Sequence, residues 1–135
     1  MSNKIYTYFI SGHRDISNEE FTKNYGIILK DIVENNSAAS IRFIVGDYYG
    51  VDIMAQNYLV DVLKFPVERI CVYHMFDKPG NIHPLITNTV GGFTNDEDRD
   101  SAMTRDSDID IAFVRNHNKW SGTGANILRR YLLIN

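Results

Sequence analysis

The sequence predicts an α/β fold, a Rossmann-like three-layer sandwich around a small, mainly parallel sheet of four or five strands. Three observations predict it. Short runs rich in β-branched and aromatic residues alternate with longer stretches whose apolar residues recur at helical spacing. Such alternation implies parallel strands joined by helices that cover both faces of the sheet. The 135 residues and 44% hydrophobic content fit one domain with a real core, spanning residues 1–135.

The elements follow in order. "KIYTYFIS" (4–11) reads as the first strand. Ser17 and Glu20 form a capping box that starts a helix near Asn18. Phe21, Tyr25, Ile28, Leu29, Ile32 and Val33 then fall on one face of that helix. "SIRFIVG" (40–46) is the second strand. Val51, Met54, Ala55, Tyr58, Leu59, Val62 and Leu63 mark the second helix. The third strand lies within "PVERICVYHMF" (66–76).

From Asp77 to about Asn95 the periodicity disappears, and the segment reads as a long loop with Pro79, Gly80, Pro84, Gly91 and Gly92. Thr94 and Glu97 offer another capping box, for a short helix with Arg99, Met103 and Arg105. "DIDIAFV" (108–114) is the fourth strand. A last helix carries Ile127, Leu128, Tyr131 and Leu132.

Composition narrows the function classes. The net charge of −3 argues against a dedicated nucleic-acid binder, yet leaves room for a local anion site. No apolar run approaches a membrane span, and the N-terminal stretch does not read as a signal peptide. A single cysteine, Cys71 in a predicted strand, suits a reducing compartment, so a cytoplasmic location is expected. No metal is expected: the histidines show no paired spacing, and Asp106, Asp108 and Asp110 lack the glycine and distal glutamate of an EF-hand loop. Neither a P-loop nor a dinucleotide fingerprint is present, so no cofactor is called for.

In parallel sheets, ligands bind outside the carboxyl ends of the strands, where strand order reverses. The unusual residues of this chain fall at strand ends. The first strand ends in Ser11-Gly12-His13-Arg14, and the second in Gly46-Asp47, continuing to Gly50 and Asp52. The last strand leads to Lys119-Trp120-Ser121-Gly122-Thr123-Gly124.

Arginine suits bidentate recognition of phosphate or carboxylate, although Arg14 has Asp15 and Glu19 as alternative partners. Asp47 is placed to accept from ribose hydroxyls or to cap a helix. Asp52 falls in a helix's first turn, where the dipole favours an acid. Tyr48 and Tyr49 are candidates for stacking on a base, as is Trp120. Ser121 to Asn126 would offer free backbone N–H groups at a helix N-terminus, which binds phosphate.

With these residues placed, the chain resembles the SLOG superfamily, and within it the YspA/YpsA-like branch. Relatives include the LOG phosphoribohydrolases and the DprA proteins. The resemblance rests on "SGHRD" (11–15), "GDYYGVDIMA" (46–55), "RDSAMTRDSDIDIAF" (99–113) and "SGTGANI" (121–127).

The resemblance implies a nucleotide-like small-molecule partner with its phosphate on the glycine-rich turn. By matching position it implies Ser11, Gly12, Arg14, Gly46, Asp47, Gly50, Asp52, Arg99, Ser121, Gly122, Thr123 and Gly124 as ligand-binding residues. LOG enzymes carry a glutamate where this chain has Asn126. Binding of a nucleotide or an ADP-ribose/NAD-like molecule is therefore the leading expectation. An N-glycosidase or deoxyribosyltransferase-like enzyme is the alternative, with Asp47, Asp52, Asp98 and Asp100 as available carboxylates. A structural or interaction domain is the third reading. A homodimer would cover exposed sheet edges.

Overall fold

The computed structural model describes residues 4–115 and 122–134, with side chains of the last helix through residue 132. Lys119, Trp120 and Ser121, singled out above, lie outside the described residues. The sheet has five strands, all parallel, in the order β4-β3-β2-β1-β5. The strands are β1 (Tyr6–Ser11), β2 (Ile41–Val45), β3 (Ile70–Met75), β4 (Thr89–Phe93) and β5 (Ile109–Ala112). The chain steps outward from β1 to β4, then returns through one helix to the far side of β1. Strand order therefore reverses between β1 and β5.

Alternation along the strands sorts side chains onto two faces. Ile10, Phe43, Val45, Ile70, Val72 and Ile111 pack on one face with helical residues such as Tyr25, Leu29, Ala55 and Leu59. Phe9, Ile44 and Tyr73 pack on the other with Ala102 and Met103.

The first face is covered by α1 (Asn18–Phe21), a π-helical stretch (Thr22–Gly26) and α2 (Ile27–Glu34), then by α3 (Val51–Asn57) running into a second π-helical stretch (Tyr58–Val62). Ser17 caps α1 by accepting from Glu20 N at 3.1 Å, as the capping box predicts. The π turns alter the predicted apolar stripes, because each adds a residue to the helical period. Phe21, Tyr25 and Leu29 are buried but Ile28 faces solvent; Leu59 and Val60 are buried but Val62 does not join them.

Residues 77–95 are not one long loop. Thr89–Phe93 forms β4 on the edge of the sheet, paired with β3. It escapes detection because "TVGGF" has almost no buried face: its stability comes from backbone pairing rather than from side-chain periodicity. The preceding connection holds no helix. It is pinned by the fully buried Gln56, which donates to Gly46 O (3.1 Å) and Asn81 O (3.3 Å) and accepts from His83 N (2.9 Å).

The second face is covered by α4 (Asp96–Arg105) and α5 (Gly122–Ile134). Thr94 is not the cap of α4. Asn95 is, accepting from Asp98 N at 2.8 Å. Helix α5 also departs from expectation. Ile127, Leu128, Tyr131 and Leu132 are 41%, 50%, 62% and 65% exposed, whereas Thr123, Asn126 and Arg130 are buried. The cause is the surface it meets. Arg130 donates to Thr104 O (3.0 Å) and Ser107 O (2.7 Å) and pairs with Asp110 (3.0 Å), so the carbonyls that end α4 select the polar face of α5. No helix among the described residues is long and apolar enough to cross a membrane.

Candidate functional site

A cavity of about 290 Å³ opens at the carboxyl ends of β1 and β2. It lies at the reversal of strand order, where geometry places ligands in such sheets. The loop after β1, the start of α3, one face of α4 and the first turn of α5 form its wall.

Two glycines let these elements approach. A Cβ on Gly12 would lie 2.5 Å from both the Tyr25 hydroxyl and Val51 Cγ2. Gly50 has φ +84°, and a Cβ there would overlap the backbone of His13 and Arg14. The close approach is tied by Val51 N donating to His13 O at 3.1 Å.

Of the residues singled out in the sequence, Ser11, Gly12, Arg14, Gly46, Asp52, Arg99, Gly122 and Thr123 line the cavity. Gly50, Asp47 and Gly124 do not. Ser121 lies outside the described residues. Gly50 acts by seating the Arg14 loop.

Asp47, read from sequence as a ribose acceptor or a helix cap, makes its bonds within the protein. One oxygen meets Arg99 Nη1 at 3.1 Å, and the other accepts from Gly80 N at 2.6 Å. Its carbonyl accepts from Asn81 N at 2.9 Å. Asp47 therefore clamps the β3–β4 connection to Arg99, and Gly50 takes the cap position of α3.

Arg99 reaches the wall, but its donors are largely engaged. Besides Asp47 it holds Asp100, through Nε and Nη2, both at 3.1 Å. Burial disfavours its charge, but Asp100 and Asp52 outweigh that effect and raise its pKa. Tyr48 is not a free stacking platform. Its ring lies between the guanidinium groups of Arg14 and Arg99, at 4.0 and 4.4 Å, and its hydroxyl donates to Asp96. Tyr49 is exposed.

Arg14 pairs with neither Asp15 nor Glu19. It faces Asp96 at 3.7 Å, with both side chains about half exposed. A pair this open to water contributes little, so Arg14 remains available to an anion. Asp15 and Glu20 instead hold Arg115, at 3.1 and 2.5 Å.

Residues outside the expected ligand-binding set also line the cavity: His13, Asp100, Met103 and Asn126, named above in other roles, and Asp96, which the sequence did not single out. The available signal was spacing: positions 96, 99, 100 and 103 share one helical face. Of the four carboxylates considered for chemistry, Asp52 and Asp100 reach the wall, whereas Asp98 braces the cap of α4.

Asp52 is 8% exposed, and burial pushes its carboxyl up to about 7 against the hydrogen bond from Tyr48 N (3.2 Å). Burial likewise raises Asp100, against Arg99. The three acids of the "DSDID" run serve separate partners: Asp106 accepts from Tyr73 (2.7 Å), Asp108 from Thr7 N (2.9 Å) and Asp110 pairs with Arg130. Cys71 is half-buried, and burial pushes its thiol up to about 11.

No family model, curated protein or solved structure matches the chain.

Proposed function

We propose that this chain binds a nucleotide or nucleotide-derived ligand at the carboxyl edge of its sheet. The phosphate would sit on the first turn of α5, with Arg14 as its second contact. One observation carries the reading: the N-terminus of a 13-residue helix and a half-exposed arginine face the same cavity at the strand-order reversal. The positive end of the helix dipole favours an anion there.

The first turn of α5 holds no acidic residue, and none of the described residues lies within 4 Å of the Cβ position of Gly122. The resemblance to SLOG proteins supports the same ligand class. The cavity volume lies near the low end for small-molecule sites, which favours a nucleoside monophosphate or one half of an ADP-ribose-like molecule.

Calorimetric titration with AMP, ADP-ribose and NAD tests this. Binding is expected for at least one of them. Arg14→Ala should weaken it tenfold or more with an unchanged melting temperature. No heat at millimolar ligand would sink the reading.

A further inference from the structure

The cavity wall contains a buried carboxyl group with one hydrogen bond among the described residues. Asp52 Oδ2 accepts from Tyr48 N at 3.2 Å, and Oδ1 has no hydrogen-bond partner among the described residues. The side chain is more than nine-tenths buried and lines the cavity. Arg99 stands close but gives its hydrogen bonds to Asp47 and Asp100. The fold also reserves space for this group, because a Cβ on Gly46 would overlap Asp52 Oδ2.

An ionised carboxylate in the wall of an anion site would repel the ligand. A neutral carboxylic acid would instead donate to it, since a protonated acid has an O–H to offer. We propose that Asp52 works in its acid form, donating its proton in a hydrogen bond to the ligand's anion, so that binding is coupled to proton uptake. This rests on the anion-site reading above. It adds a third contact to that site and a pH range in which the site functions.

The groups facing Asp52 set the terms of the test. The loop after β1 brings His13 and Arg14. The start of α1 and its π turn bring Tyr25. The β2–α3 connection brings Asp47 and Tyr48, and α4 brings Asp96, Arg99 and Asp100. Among these groups, burial brings Asp52 up to about 7.

The probe is ADP-ribose, whose pyrophosphate does not titrate between about pH 6 and 9, unlike a phosphate monoester with its second pKa near 6. Calorimetry in two buffers of different ionisation enthalpy reads the protons taken up. Wild-type protein should take up a proton on binding near pH 8. Its affinity should fall toward tenfold per pH unit above about 7.

Asp52→Asn keeps a neutral donor and leaves His13 in place. It should bind with little pH dependence, and at pH 8.5 more tightly than wild type. Asp52→Leu, which fills the space but cannot donate, should bind weakly at every pH. Arg14-dependent binding by wild-type protein that is flat from pH 6 to 9 would overturn the inference and leave the anion site standing. So would a pH dependence that persists in Asp52→Asn, since that would belong to a group other than Asp52. Absence of ADP-ribose binding at pH 6 would overturn the inference, and absence of AMP and NAD binding as well would overturn the anion site with it.

Discussion

The two faces of the sheet are built on different principles. Beneath α1–α3 the contacts are hydrocarbon: Tyr8 stacks on Phe43, Phe43 meets Phe65 edge-on, and Phe21 stacks on Tyr25. Beneath α4 and α5 the apolar cluster is small, and buried arginines do much of the joining. Arg99 ties α4 to the loop after β2, and Arg130 ties α5 to the end of α4 and to β5. The difference locates the cavity. A face packed by side-chain volume closes over its own surface, whereas a face joined by directional hydrogen bonds can hold open a polar space between its anchors.

Five substitutions would break or sharpen that comparison. Phe43→Ala, at a fully buried position, should cost about 3–5 kcal/mol in denaturant unfolding. A cost below 1 kcal/mol would mean that the hydrocarbon face is not what holds the fold. Arg99→Met should cost about 3 kcal/mol by leaving Asp47 and Asp100 buried without their partner. A neutral result would show that the second face does not depend on its ion pairs.

Asp52→Asn should act in the opposite direction, with a sign set by pH. The folded carboxyl titrates at about 7 against an ordinary 3.8, so between those values the folded chain holds more protons than the unfolded one. Stability therefore falls as pH rises from about 4 to 7 and stays lowered above. At pH 8 Asp52→Asn should be more stable than wild type by on the order of 2 kcal/mol, with the gap closing toward pH 4. A gap that does not change with pH would refute the assignment. Smallest of all, Leu128→Lys and Leu132→Lys should change stability by less than about 0.5 kcal/mol, because both side chains face outward. A larger loss would show that α5 buries the face its apolar pattern suggests.

The apolar face was the more legible one. Its strands announce themselves by β-branched runs, and its helices by 3.6-residue spacing, until the π turns displace Ile28 and Val62. The polar face was harder to read. The apolar residues of α5 suggested an inward stripe, but the structure buries Thr123, Asn126 and Arg130, and carbonyl oxygens and Asp110 hold the Arg130 guanidinium there. Sequence also marked the ends of β1 and β2 as one edge of the sheet, with Gly122 and Thr123 beside them. It could not tell Asp47 from Asp52. Five positions apart, they point to different surroundings because the chain reverses at Gly50, and only three-dimensional contacts decide which one meets the cavity. β4 stayed hidden because an edge strand exposed on both faces leaves no alternation to find.

One further consequence belongs to Tyr25. In a parallel ladder with Ser11 opposite Ala112, the next rung would run from Phe113 N to Ser11 O. The Tyr25 hydroxyl stands in that rung, accepting from Phe113 N at 3.0 Å and donating to Ser11 O at 2.8 Å. Burial raises it to about 12, so it stays a neutral donor at ordinary pH. The fork between β1 and β5 is thus held apart by a single oxygen atom acting as a spacer. The width of the crevice is set by a side chain from the opposite face, and Tyr25→Phe would let the two strands zip one step further toward the cavity.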